Sequence, residues 1–134
     1  MTVVYVDSSA LLKRVVVEAE SPAVRSLLRE HDLAGDLLTA SSLAWLEVWR
    51  SLRSAAVTDV EVATAAALSG IAPHPLDDAV LKRARHVGAD ALRSLDAIHL
   101  ASAIAVGADS ILTYDARLAA AAAAVGLAAL APTG

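Results

Sequence analysis

The sequence predicts an α/β fold in which helices cover both faces of a central parallel sheet. Short apolar runs recur at residues 3–6, 37–40, 110–113 and 127–130, each the length of a strand and too short for a helix. Stretches with apolar residues at helical spacing separate them, and capping residues or glycines stand at the junctions. Strands alternating with helices favour parallel neighbours and right-handed crossovers, because each helix carries the chain back along the sheet before the next strand begins.

The elements follow in order. Residues 3–6, Val-Val-Tyr-Val, suit a strand buried on both faces. Asp7 ends it, and Ser8 or Ser9 caps a helix carrying Leu11, Leu12, Val15 and Val16. Ser21 and Pro22 restart the chain as a second helix, to about Leu33. After the strand at 37–40, Ser41 or Ser42 opens a long helix with Trp45, Val48, Trp49, Leu52 and Ala56 along one stripe and Glu47 off it. A further helix covers residues 59–68. Residues 71–76 contain Pro73 and Pro75 and so make only a short or edge strand. Asp77 or Asp78 caps the next helix, whose Lys82, Arg83 and Arg85 read as a solvated face. Ser94 opens a helix over 95–106 that Gly107 ends, and the clearest late strand follows at 110–113. Asp115 caps the last helix, Gly126 closes it, and 127–130 form a final strand. The alanine run at 119–124 is absorbed by a helix.

Composition narrows the function classes. The 134 residues fit one domain, residues 1–134, with one site. Mean hydropathy is +0.57, yet no uninterrupted apolar run reaches the roughly 18 to 20 residues that span a bilayer. No basic segment precedes the first apolar run, and Asp7 follows it at once, so no export signal is expected. A soluble cytoplasmic protein, without membrane association, is the expectation. With no cysteine there are no disulfides or thiolate metal sites. A net charge of −4 lacks the cationic excess of a general nucleic-acid binder, so any nucleic-acid chemistry must come from a local site.

Four acids point to such a site. Asp7 and Asp115 follow strands, Asp96 lies in the first turn of a helix, and Glu47 lies early in a helix that follows a third strand. In open parallel sheets these positions face one crevice at the carboxyl ends of the strands. Clustered carboxylates there supply the hard oxygen ligands that Mg²⁺ or Mn²⁺ requires. Each residue also has a plainer reading. Asp7, Asp96 and Asp115 could serve as caps or first-turn acids, and Glu47 could pair with Arg50 at i+3 on the helix surface. Asp96 is the most informative, since the rest of its helix is nearly all apolar, and a buried carboxylate needs a partner such as Arg93 or a metal. His31, His74, His86 and His99 show no metal-ligand spacing and read as surface or packing residues. Only His99 stands near enough to Asp96 to matter. Trp45 and Trp49 read as core or interface residues, and Ser8 and Ser9 as caps or supports for Asp7 rather than nucleophiles.

Taken together, residues 4–11 (VYVDSSAL), Glu47, residues 92–103 (LRSLDAIHLASA) and residues 112–118 (LTYDARL) closely resemble the PIN-domain family, in the order and spacing of VapC-type toxins. The similarity spans nearly the whole chain and is most specific around Asp96. It implies a three-layer α/β/α sandwich, PIN-like and Rossmann-like, with a cleft of acids that binds one or two divalent cations, Mg²⁺ or Mn²⁺. It implies Asp7 and Asp96 as principal ligands, Glu47 and Asp115 completing the catalytic cluster, and Ser9 or Thr113 hydrogen-bonding to the ligands. It further implies endoribonuclease activity leaving 3′-hydroxyl and 5′-phosphate ends, neutralisation by a cognate VapB-like antitoxin, and a homodimer. A metal-dependent DNA nuclease or phosphoesterase, or an inactive PIN-like scaffold whose acids only cap helices, would use the same residues.

Overall fold

The computed structural model describes residues 1–134. Its strands are β1 (Val3–Val6), β2 (Leu37–Ser41), β3 (Ala72–His74), β4 (Ser110–Leu112) and β5 (Ala128–Leu130). Its helices are α1 (Ser8–Leu12), α2 (Ser21–Leu33), α3 (Leu43–Ser54), α4 (Val60–Ala67), α5 (Asp78–Ala84), α6 (Ser94–Ala105) and α7 (Ala116–Ala124). All pairings are parallel, in the order β3-β2-β1-β4-β5. The proline-bearing β3 occupies an edge, where a missing N–H disturbs no inner ladder.

Alternation along the strands sorts side chains into two cores. Val4, Val6, Leu38, Ala40 and Leu112 share one core with buried residues of α1 to α4, including Leu11, Val24, Val48 and Leu52. Tyr5 and Ile111 point the other way and pack with Leu100 and Ala103 of α6 and Leu118 and Ala122 of α7. The result is helices on both sides of a five-stranded parallel sheet. No helix is long and apolar enough to cross a membrane.

Several local details depart from the expectations above. Asp7, by its plainer reading as a cap, takes the place of Ser8 or Ser9 at the start of α1, its side chain accepting the Ser8 N–H at 2.7 Å, and the helix stops at Leu12. Val15 and Val16 lie beyond it, partly buried against the first core. α3 stops at Ser54, so Ala56 is outside the helix, at φ 55°. Trp45, partly buried, packs against the first core as its stripe predicts, whereas Trp49 is half-exposed and donates from its indole N–H to Glu61 at 3.0 Å.

Candidate active site

The topology reverses beside β1: β2 and β3 lie to one side, β4 and β5 to the other. Such a switch point opens a crevice at the carboxyl ends of the strands, because the adjoining connections leave towards opposite faces. Asp7 follows β1 and Asp115 follows β4. Glu47 from α3 and Asp96 from the first turn of α6 join them, so all four acids line one hollow of about 370 Å³, with Ser8, Ser9 and Arg93.

Asp7 is 4% exposed and fixed on both carboxylate oxygens. Oδ1 accepts the Ser8 N–H, and Oδ2 accepts the Ser9 and Thr113 hydroxyls, each at 2.8 Å. Both hydroxyl oxygens in turn accept backbone N–H groups, Ser9 from Tyr114 at 3.0 Å and Thr113 from Asp115 at 3.1 Å. With those oxygens accepting from the backbone, their protons are directed at Asp7. Asp115 caps α7, its Oδ1 accepting the N–H groups of Arg117 and Leu118 at 2.9 and 3.0 Å. Its plainer reading as a cap therefore holds together with its place in the hollow, since Oδ2 accepts nothing from the protein.

Glu47 makes no ion pair with Arg50; its Oε1 lies 2.5 Å from Nε2 of His99. His99 is 1% exposed, and its Nδ1 lies 2.7 Å from the Tyr5 hydroxyl, which accepts the Ser41 N–H at 2.9 Å. If the Tyr5 hydroxyl donates to Nδ1, the neutral ring carries its proton on Nε2; the imidazolium carries one on each nitrogen. In both states Nε2 donates to Glu47. The same nitrogen is 3.6 Å from Asp7 Oδ1. Burial opposes a charge on His99, but the hydrogen bond to Glu47 and the nearby Asp7 carboxylate outweigh it and hold the imidazole pKa above its ordinary value. His99 is thus buried, as the packing reading of the sequence has it, and in addition is tied to one of the four acids. Its partners lie 52 and 94 residues away in the chain, and the only sequence signal was its place one helical turn beyond Asp96. His31 pairs with Asp36 at 2.8 Å, and His74 and His86 stand outside the hollow.

Asp96 is half-buried rather than sequestered, and accepts no hydrogen bond from the protein. Partial burial, then the Asp115 and Asp7 carboxylates, push its pKa above the usual carboxylate range. As the side chains stand, no three of the His, Asp and Glu groups are close enough to chelate one ion together. The donor set nevertheless fits a hard divalent cation. It combines mutually repelling acids with carboxylate oxygens on Asp96, Asp115 and Glu47 that no protein donor occupies.

Comparison with known proteins shows the family of the chain. The PIN domain profile matches residues 4–124. The chain belongs to the PIN-domain family. Ribonuclease VapC47 of Mycobacterium tuberculosis is 31% identical over 96 residues, which cover 72% of this chain and 71% of that protein. Solved structures share the fold at lower identity. Mycobacterium tuberculosis VapC20, described as a sarcin-ricin loop cleaving toxin, superposes with a TM-score of 0.72 at 18% identity, over 96% of this chain and 99% of that one. Rickettsia felis VapBC2, bound to a fragment of promoter DNA, gives a TM-score of 0.72 at 11% identity, over 96% and 98% of the two chains. A toxin-antitoxin complex from Klebsiella pneumoniae gives 0.60 at 18% identity, over 87% and 90%.

Proposed function

We propose that this PIN-domain chain is a divalent-metal-dependent endoribonuclease and the toxin of a toxin-antitoxin pair, with Asp7, Glu47, Asp96 and Asp115 as its catalytic carboxylates. The observation that carries the reading is the convergence of these four acids on one hollow at the switch point of a PIN-domain sheet. The resemblance to ribonuclease VapC47 supplies the substrate class. We read residues 1–134 as one nuclease domain acting in the cytoplasm.

Asp7 and Asp96 would hold Mg²⁺ or Mn²⁺, with Glu47 and Asp115 completing the acidic wall. When bound, the cation lowers the pKa of an attacking water and neutralises charge developing on the leaving oxygen. The chain's own residues set the geometry. Ser9 and Thr113 hold the Asp7 carboxylate in one orientation, and His99 holds Glu47 against the same hollow. Acids alone would repel a substrate phosphate from the hollow that Asp96 and Asp115 line, and a cation held there would offset that repulsion.

An acidic hollow is also complementary to an arginine or lysine, which suits inhibition by an antitoxin side chain that competes with metal and substrate together. The Klebsiella pneumoniae structure of the same fold is a toxin-antitoxin complex, which supports a protein partner here. Exposed Leu46 on α3 and Val62 on α4 offer apolar surface for it or for a second copy in a homodimer.

Incubating the purified protein with end-labelled RNA and DNA, with Mn²⁺ or chelator, tests this reading. Cleavage of RNA only with metal, leaving 5′-phosphate ends, is expected. Cleavage confined to DNA would make the protein a different phosphoesterase, and no cleavage of either would leave an inactive scaffold.

A further inference from the structure

We propose that the groove between α5 and α6 is a subsite for an RNA nucleotide flanking the scissile phosphate, with Arg85 meeting the neighbouring phosphate and an apolar floor taking the base. The proposal rests on the ribonuclease reading and extends it to residues outside the acid cluster. The groove, of about 590 Å³, adjoins the acid hollow, with Ser94 lining both. Arg93 stands on the hollow's side of this junction, and Arg85 and His86 on the groove's side. Leu81, Leu92 and Ile98 supply the apolar floor.

The charge distribution points to a polyanion. Between residues 82 and 94 stand Lys82, Arg83, Arg85 and Arg93 against the single acid Asp90, in a chain whose net charge is −4. The five ion pairs of the structure involve none of these residues, and Arg85, away from the acid hollow, is uncommitted even with Asp90 on the groove wall. An unpaired guanidinium gains little from its own fold and is available to a phosphate. A cationic side chain such as Arg85 beside an apolar floor is the combination by which single-stranded nucleic acid is held, the charge meeting the backbone and the floor accepting base faces without strong sequence preference. Such a subsite also offsets the repulsion a phosphodiester meets from the neighbouring acids.

Binding of a short fluorescent single-stranded oligoribonucleotide to the full chain, followed by anisotropy across a series of KCl concentrations, tests this. An Asp96→Asn background with Mg²⁺ prevents cleavage. Adding Arg85→Gln is expected to weaken binding and to reduce the slope of log K against log[KCl] by about 0.7, the value for one phosphate contact to a single strand. Ala84→Phe, which narrows the groove without altering charge, is expected to weaken binding with the slope unchanged. Arg29→Gln, on a separate surface lined by Arg14, Arg25 and Asp32, is expected to change neither. Circular dichroism confirms that each variant is folded. An unchanged slope with Arg85→Gln, or an equal reduction with Arg29→Gln, would overturn the subsite. Wild-type cleavage of the same RNA is measured in parallel: if it persists, the ribonuclease reading stands whatever the slopes, and if it is absent, both proposals fall.

Discussion

His99 connects elements that sequence cannot bring together. It joins Tyr5 of β1 to Glu47 of α3 and stands 3.6 Å from Asp7, while its own element, α6, also supplies Asp96. Its hydrogen bond is the one protein contact that fixes the Glu47 carboxylate, so its removal frees Glu47 and leaves the buried Tyr5 hydroxyl without a partner on that side. His99→Phe keeps the ring volume but no donor, and is expected to lower Mn²⁺ affinity or cleavage by about 10- to 100-fold, the usual effect of losing a group that orients a ligand. His99→Gln retains an N–H within reach of Glu47 and should recover part of that loss. Equal defects in the two variants would show that volume, not the donated hydrogen bond, is what matters. The acids were legible because a carboxylate at a strand end or in a first helical turn has few local explanations, all visible in sequence. The tie between Glu47 and His99 was not, because the nearer Arg50 offered a local partner and the true one lies 52 residues away.

At the scale of elements, legibility followed punctuation. Gly107, at φ 67°, ends α6 with the Ala108 N–H bonded to the Ala103 carbonyl and the Gly107 N–H to that of Ile104, a glycine-marked stop readable from sequence. α3 ends in the same motif, with the Val57 N–H on the Leu52 carbonyl and the Ala56 N–H on that of Arg53, but the left-handed residue is Ala56. Alanine is the strongest helix former, so the periodic stripe ran on through the actual stop. The left-handed conformation costs a non-glycine residue about 1 to 2 kcal/mol, partly offset by the greater unfolded-state freedom of glycine. Ala56→Gly is therefore expected to raise stability by up to about 1 kcal/mol, measured by urea denaturation. A loss of stability would show that this turn is not held left-handed in solution. The serine caps expected for α1 failed for another reason. Asp7 already caps that helix, and the Ser9 hydroxyl is drawn to Asp7 and Tyr114.

For the whole molecule, the site's charges set how stability depends on pH. Asp96 has a raised folded-state pKa, so the native state binds more protons than the unfolded chain over the window between the two values. Stability falls as pH rises through that window and stays lowered at neutral pH. His99 is also raised, so its contribution is complete below the ordinary histidine value of about 6.5 and is lost as pH rises through its folded value. The two effects share a sign. In chelator, the melting temperature should fall as pH rises above about 6.5, and His99→Gln should flatten that decline. Asp96→Asn should be as stable as the wild type or more so near neutral pH, because neutralising one acid relieves repulsion from Asp7 and Asp115. Metal should reverse the ranking: a ligand at about 100 times its dissociation constant stabilises the state it binds by about 2.7 kcal/mol, and only an intact site gains this. A rising melting temperature in chelator over the same range would contradict the electrostatic account. The claim that the four acids form a metal-dependent ribonuclease site is tested most directly by the rate of Mn²⁺-dependent cleavage of labelled RNA by the wild type, Asp7→Asn and Asp96→Asn, each with an unchanged far-ultraviolet circular dichroism spectrum. The expected result is cleavage by the wild type and none by either variant, and near-normal cleavage by folded Asp7→Asn or Asp96→Asn would contradict it.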